Sequence, residues 1–196
     1  MHPPAQVELV KVTTAEEMRS AVLDRLNDVT MVIKAAAVAD YRPVNVSDHK
    51  LKRTGPLTVE LAPTEDILAE VVRRRRPGQL IVGFAAETEN RMENGRAKLL
   101  RKGADAIVVN DVSGEGVGID ADNNAATFLT NSTAIELHEM PKRKLADRIL
   151  DEILILRRPR ALMVETDHHP DDRAPQDKVR SQSEEMPAAR RRIIVE

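Results

Sequence analysis

Asp40 lies just past a run of small residues, Ala35, Ala36, Ala37 and Ala39, and ten positions further on a basic patch begins with Lys50, Lys52 and Arg53. Small side chains let a ligand approach the backbone closely, and a carboxylate with nearby cations suits a polar ligand that carries phosphate. Lys98 and Lys102 add a second cationic pair, four residues apart and so on one face of any helix that holds them. A plainer reading of the same residues also stands: an Ala-rich strand packed under a helix, with solvated lysines.

The elements around these residues decide between the two. Met31, Val32 and Ile33 read as a buried strand that runs into the alanines. Leu80–Phe84 is a second buried strand, followed by Ala85, Ala86 and Glu87. Ala106–Val109 is a third, followed by Asn110 and Asp111. Three apolar runs thus end in small or polar residues and then an acid, the pattern by which an open α/β sheet lines one ligand crevice at its carboxyl edge.

Helices are expected between the strands. Thr14 and Glu17 form a capping-box signature for a helix over Thr14–Asn27, with Met18, Val22 and Leu26 on its apolar face. It follows a strand at Val7–Val12, giving a strand–helix–strand unit with parallel strands. Pro63 and Thr64 open a helix with Glu65 and Asp66 in its first turn, Arg73–Arg76 in its last and Pro77-Gly78 as its stop. The four arginines serve as dipole compensation more cheaply than as a nucleic-acid patch. A helix is expected over Glu89–Lys102, with Gly103 as its C-cap. Leu57–Leu61 alternates as a half-exposed strand, and Ala125–Thr130 and Thr133–Leu137 read as an antiparallel pair. Gly114–Gly118 and Asp120–Asn124 read as loop, and Pro141–Leu156 as the last helix. Arg157–Glu196 has no periodicity and reads as a disordered charged tail, in which His168 and His169 are taken as inert.

Composition limits the functions open to 196 residues. The apolar fraction is 41% but aromatics are 2%, so the core is aliphatic and base-stacking platforms are scarce. A net charge of -2 argues against general attraction to nucleic acid or to an anionic membrane. Without cysteine there is no disulfide or thiolate chemistry. No apolar run reaches spanning length and no signal-peptide pattern opens the chain, so a cytoplasmic location is expected. No G-x-G-x-x-G fingerprint supports a generic dinucleotide-binding domain.

In order, AAAVADYRP, KLKR, GFAAETE, VVNDVS and DNNA resemble phosphopantothenoylcysteine synthetase, the phosphopantothenate–cysteine ligase of coenzyme A biosynthesis. The resemblance covers about Val7–Leu156, so 1–156 is expected to be a synthetase-like domain and 157–196 the tail. It implies an α/β, Rossmann-like doubly wound and mostly parallel sheet, with a small antiparallel pair near the C-terminus. It further implies CTP as co-substrate with Mg²⁺, 4′-phosphopantothenate and cysteine as substrates, and an acyl-cytidylate intermediate. A homodimer is implied too, possible company being a flavin-dependent phosphopantothenoylcysteine decarboxylase.

The resemblance assigns the nucleotide to Lys34, Ala35, Ala36, Asp40, Lys50, Glu65, Asp66, Ile67, Leu68, Phe84, Lys98 and Lys102. Lys50 matches the mobile flap lysine that closes over the reacting phosphates. Thr64-Glu65 departs from the Asn-Pro often found there. The family's first two strands, with their glycine-rich and IxNxSSGxMG-like segments, have no counterpart before Val7, which leads us to expect a truncated gene start. On that reading Val7–Val12 and Met31–Lys34 are left as facing, unpaired edges. The alternative is a non-catalytic nucleotide-binding or regulatory subunit.

Overall fold

A computed structural model of the chain describes residues 7–53, 55–87, 90–111, 121–157 and 192–195. Strand β1 (Val7–Val10) leads into helix α1 (Ala15–Arg25), whose start is the expected capping box. Thr14 Oγ1 accepts from the Glu17 N–H at 3.1 Å and Glu17 Oε2 accepts from the Thr14 N–H at 3.1 Å. The helix stops short of Asn27 because Leu26–Asp28 tightens into one 3₁₀ turn before strand β2 (Met31–Lys34).

The chain then leaves the sheet as an arm, closed at its base by two short antiparallel strands, β3 (Tyr41–Pro43) and β4 (Leu61–Pro63). The expectation of a strand over Leu57–Leu61 is therefore corrected. Pairing reaches only the residues beside Tyr41–Pro43, and Pro63 ends a strand instead of opening a helix. Helix α2 (Ile67–Arg74) starts four residues later, where Asp66 Oδ1 accepts from the Ala69 N–H at 3.1 Å.

Strand β5 (Leu80–Glu87), helix α3 (Arg91–Lys102) and strand β6 (Ala106–Asp111) follow, with Gly103 in the left-handed conformation (φ 66°) that ends α3. The small residues and acids after the second and third apolar runs lie within β5 and β6, because the two strands pair through to Glu87↔Asp111. Strand β7 (Asn123–Thr130) takes in Asn123 and Asn124, expected as loop, and pairs antiparallel with strand β8 (Ala134–Pro141). Pro141 closes β8, and helix α4 spans Lys142–Arg157. The Gly114–Gly118 loop lies outside the described residues.

The main sheet has the order β2-β5-β6-β7-β8, parallel through β6 and antiparallel beyond. One face packs Leu26, Ile67, Leu68, Val71, Ile81 and Leu99 among the side chains under α1, α2 and α3. The other packs Val82, Val108 and Phe128 against Leu145, Ile149 and Ile153 of α4. This is the expected doubly wound architecture.

Most of the stretch read as tail lies outside the described residues, but its described end forms a strand: β9 (Arg192–Val195) runs parallel to β1 in the register Val7↔Arg192 to Val10↔Val195. Two aliphatic residues, Ile193 and Ile194, supply the β propensity that the surrounding charge hides. β1 therefore finds its partner within the chain. It does not pair with β2.

Candidate functional site

β2 ends at Lys34, level with Gly83 of β5, while β5 and β6 continue together for four more residues. The step leaves Ala35 and Ala36 on an open ledge at the carboxyl edge of the sheet. Gly83 keeps the ledge tight. A β-carbon there would stand 2.7 Å from both Ile107 Cδ1 and Leu68 Cδ2.

Lys34 is half-buried at this ledge, and its Nζ donates to the Ala36 carbonyl at 3.2 Å. Burial holds its ammonium below the usual lysine range. The like charges of Lys98 and Lys102 push the same way, and only Asp40 opposes them. One strand end, one helix face and one loop acid are thus brought within electrostatic reach of Lys34. Gly95 makes this possible, because a β-carbon there would lie 2.6 Å from Val109 Cγ2 and 2.7 Å from Leu129 Cδ1. Only glycine lets α3 settle that near β6 and β7.

Asp40 opens the arm. Its carbonyl accepts from the Thr64 N–H at 2.8 Å, tying the exit of the arm to its entrance and placing the start of α2 next to Asp40. Asp66 caps α2 and also ion-pairs with Lys102. Ile67 and Leu68 point their side chains into the core, so what they present to the ledge is the backbone N–H groups of a helix start. Glu65 is exposed beside them.

Two expected site residues stand apart. Lys50 is exposed in the outer arm, between β3 and β4. Phe84 is partly buried against the α4-side core, at the level of Val108. Both belong to the carboxyl side of the sheet, where Asn110 also ends, but the Lys34 cluster does not include them.

Thr64 was missed in sequence as a candidate. Its hydroxyl is buried and has no hydrogen-bond partner among the described residues. The only signal was the departure from Asn-Pro at Thr64-Glu65. The arginines of α2 and beyond resolve as structural ties. Arg74 bonds Glu70 at 2.7 Å, Arg75 bonds Asp105 at 2.8 Å and Arg76 bonds the Asn27 carbonyl.

Below the ledge a cavity of about 740 Å³ continues along β2, which among the described residues pairs only with β5. Lys34, Ala35 and Ala36 line its mouth, while Ile193, Ile194 and Val195 face β2 across it. Among the described residues no group of three His, Cys, Asp or Glu side chains could hold a metal ion, and no helix is long and apolar enough to cross a membrane.

The family described as DNA/pantothenate metabolism flavoprotein C-terminal domain matches residues 1–156. The chain is 42% identical over 156 residues to the coenzyme A biosynthesis bifunctional protein CoaBC of Bacillus subtilis (strain 168), covering 79% of this chain and 38% of that one. It is 37% identical over 159 residues to a cysteine/cysteine sulfinic acid decarboxylase of an unknown prokaryotic organism, covering 80% and 44%. The chain thus spans less than half the length of these relatives. Among solved structures, the C-terminal domain of a coenzyme A biosynthesis bifunctional protein CoaBC superposes with a TM-score of 0.65 at 36% identity, covering 80% of this chain and 69% of that one. The DNA/pantothenate metabolism flavoprotein from Streptococcus pneumoniae shares the fold, with a TM-score of 0.65 at 21% identity, covering 79% and 75%.

Proposed function

The chain belongs to the DNA/pantothenate metabolism flavoprotein C-terminal domain family, and from that premise we propose that it joins 4′-phosphopantothenate to cysteine at the expense of CTP, in coenzyme A biosynthesis. The observation that carries the reading is the gathering of Lys98, Lys102 and Asp40 around Lys34 at the sheet's carboxyl edge.

In the proposed reaction a substrate carboxylate oxygen attacks the α-phosphorus of CTP and pyrophosphate leaves. The cysteine amine then attacks the acyl carbon, and CMP leaves. Such chemistry asks the protein for alignment and for charge placed where charge develops. Lys34, Lys98 and Lys102 face the phosphates, and the N–H groups at the start of α2 add donors aimed at an anion. Ala35 and Ala36 admit the nucleotide against bare backbone. Lys50 closes from the arm. Mg²⁺, which keeps several waters and needs only one or two carboxylates, fits a site without a three-ligand cage. Asp40 would help to hold it, and it would supply Lewis-acid charge neutralisation.

The arm supports a homodimer. Tyr41, Val46, Leu51, Leu57, Val59 and Leu61 are each more than half exposed, an apolar surface that a second copy would cover. A decarboxylase partner or fused half is supported by the relative named as a cysteine/cysteine sulfinic acid decarboxylase and by the bifunctional ones.

The test is pyrophosphate release by the full chain given CTP, phosphopantothenate and cysteine. Release that needs all three and falls about a hundredfold or more in Lys50→Ala is expected. CTP binding without turnover, weakened by Lys50→Ala, would favour the non-catalytic nucleotide-binding reading. Absence of CTP binding would overturn both.

A further inference from the structure

Val32 packs into the core beneath α1, α2 and α3, and Lys34, two residues further along β2, shares its face of the sheet. The strand register gives the same direction. Lys34 lies level with Gly83, and a β-carbon on Gly83 would stand 2.7 Å from Leu68 Cδ2, in the first turn of α2. The Lys34 side chain therefore leaves the sheet on the side of α2. Its Nζ is fixed by the bond to the Ala36 carbonyl at 3.2 Å, which uses one N–H and leaves the lone pair of the neutral amine free.

Lys98 and Lys102 come to this corner from α3. Leu99 beside them is buried in the same core, and Lys102 Nζ ion-pairs with Asp66, the residue that caps α2. The bond from the Thr64 N–H to the Asp40 carbonyl, at 2.8 Å, brings the loop after β2 to the same helix start. The described charges here are thus Lys98 and Lys102 against Asp40, Glu65 and Asp66, with Asp66 already engaged by Lys102. Burial and the two neighbouring cations hold the Lys34 ammonium below the usual lysine range. More of it is therefore nucleophilic amine near neutral pH than of an exposed lysine.

A fixed amine beside a pair of cations suits a donor in which a phosphate is joined to an electrophilic carbon. An acyl phosphate is the smallest such molecule. Its phosphoryl dianion matches the lysine pair, and its carbonyl carbon is one oxygen away from phosphorus. Ala35 and Ala36 admit a short acyl chain against bare backbone. A neutral ester offers the same carbon without the charge that docks it.

We infer that Lys34 is a site of covalent acylation, taking its acyl group from a small acyl phosphate held by Lys98 and Lys102. The Nζ lone pair forms a C–N bond to the carbonyl carbon. The bond from that carbon to the bridging oxygen breaks, and its electron pair leaves on phosphate, which takes the Nζ proton and departs as hydrogen phosphate. The resulting amide is uncharged, so one of the three lysine charges at the ledge is lost. The inference does not depend on the ligase reading, since it needs neither CTP nor a pantothenate substrate.

The test incubates the full chain with acetyl phosphate at neutral pH and follows each lysine by peptide mass spectrometry. Lys34 should be labelled several-fold faster than the exposed Lys11, Lys52 and Lys144, and inorganic triphosphate should suppress labelling at Lys34 and not at those three. The neutral ester p-nitrophenyl acetate reports the reactivity of the amine without docking. The ratio of acetyl phosphate to ester labelling at Lys34 should fall about tenfold or more when Lys98→Gln and Lys102→Gln are combined. Labelling of Lys34 no faster than that of the exposed lysines would overturn the inference. So would an unchanged ratio in the double variant, or triphosphate protection that extends equally to the exposed lysines. Pyrophosphate release from CTP is a separate readout, so failure of the ligase reading leaves each of these outcomes as informative as before.

Discussion

Lys102, at the end of α3, is ion-paired with Asp66, the residue that caps α2. One carboxylate therefore serves both a helix start and one of the three lysines at the ledge. A phosphate that claims Lys102 must displace Asp66. Asp66→Asn keeps an oxygen for the Ala69 N–H and drops the charge, so it should cost little stability and strengthen binding of inorganic triphosphate several-fold. Asp66→Ala loses the cap as well and should cost about 1 kcal/mol. Urea unfolding and calorimetry read the two effects separately, and weaker binding in Asp66→Asn would mean that the carboxylate itself holds the ligand.

Lys34 carries a charge that its burial and the neighbouring lysines disfavour. Its pKa is lowered in the folded chain, so folding pays for the ammonium in full below that value. The penalty fades as the pH rises from it towards the ordinary 10.5. Lys34→Met should therefore melt higher than the parent at neutral pH, the two curves converging in the alkaline range. The same variant should bind CTP about ten- to a hundredfold more weakly, having lost a charge-assisted contact. A variant that melts lower at neutral pH would contradict this account.

Gly95 sets how near α3 lies to the sheet. Gly95→Ala should destabilise by about 1–3 kcal/mol despite the better helix propensity of alanine, because Val109 and Leu129 must give way. Since α3 carries Lys98 and Lys102, nucleotide binding should weaken in parallel. Equal or greater stability in chemical denaturation would show that the helix has room to move.

Glu70 is buried and receives Arg19 and Arg74 together. The Arg19 hydrogen bonds hold its carboxyl below the ordinary value of 4.5 against the opposing effect of burial, and nearby arginine charges help. Its stabilisation is then complete above the unfolded value and is lost as the pH falls through the lowered folded one. Glu70→Gln should lower the melting midpoint at pH 7 by more than about 5 °C. The gap to the parent should narrow in acid, and a gap that stays constant from pH 7 to 3 would rule out the carboxylate as its source.

Much of this protein is local and could be read from the chain. The capping box at Thr14–Glu17, the four-residue spacing of Met18, Val22 and Leu26, and the Gly103 stop each depend on neighbours a turn away. The apolar runs at Leu80 and Ala106 show parallel strands buried on both faces, whereas the run at Met31, expected to be buried too, is a parallel strand that ends the described sheet and leaves Ile33 exposed. Their endings indicated a crevice at one edge, and Lys98 and Lys102 had to share a helix face. Other features depend on partners far apart in sequence. Nothing near Leu57–Leu61 says that pairing waits for Leu61–Pro63, since the match is made by Tyr41–Pro43. The ion pair of Lys102 with Asp66, the burial that lowers the Lys34 pKa and the unpartnered hydroxyl of Thr64 arise only when α2, α3 and β2 meet. β9 was hidden for the same reason. Four residues in a charged stretch become a strand only where β1 offers an open edge, and backbone hydrogen bonding across nearly the whole length of the chain leaves no periodicity to read.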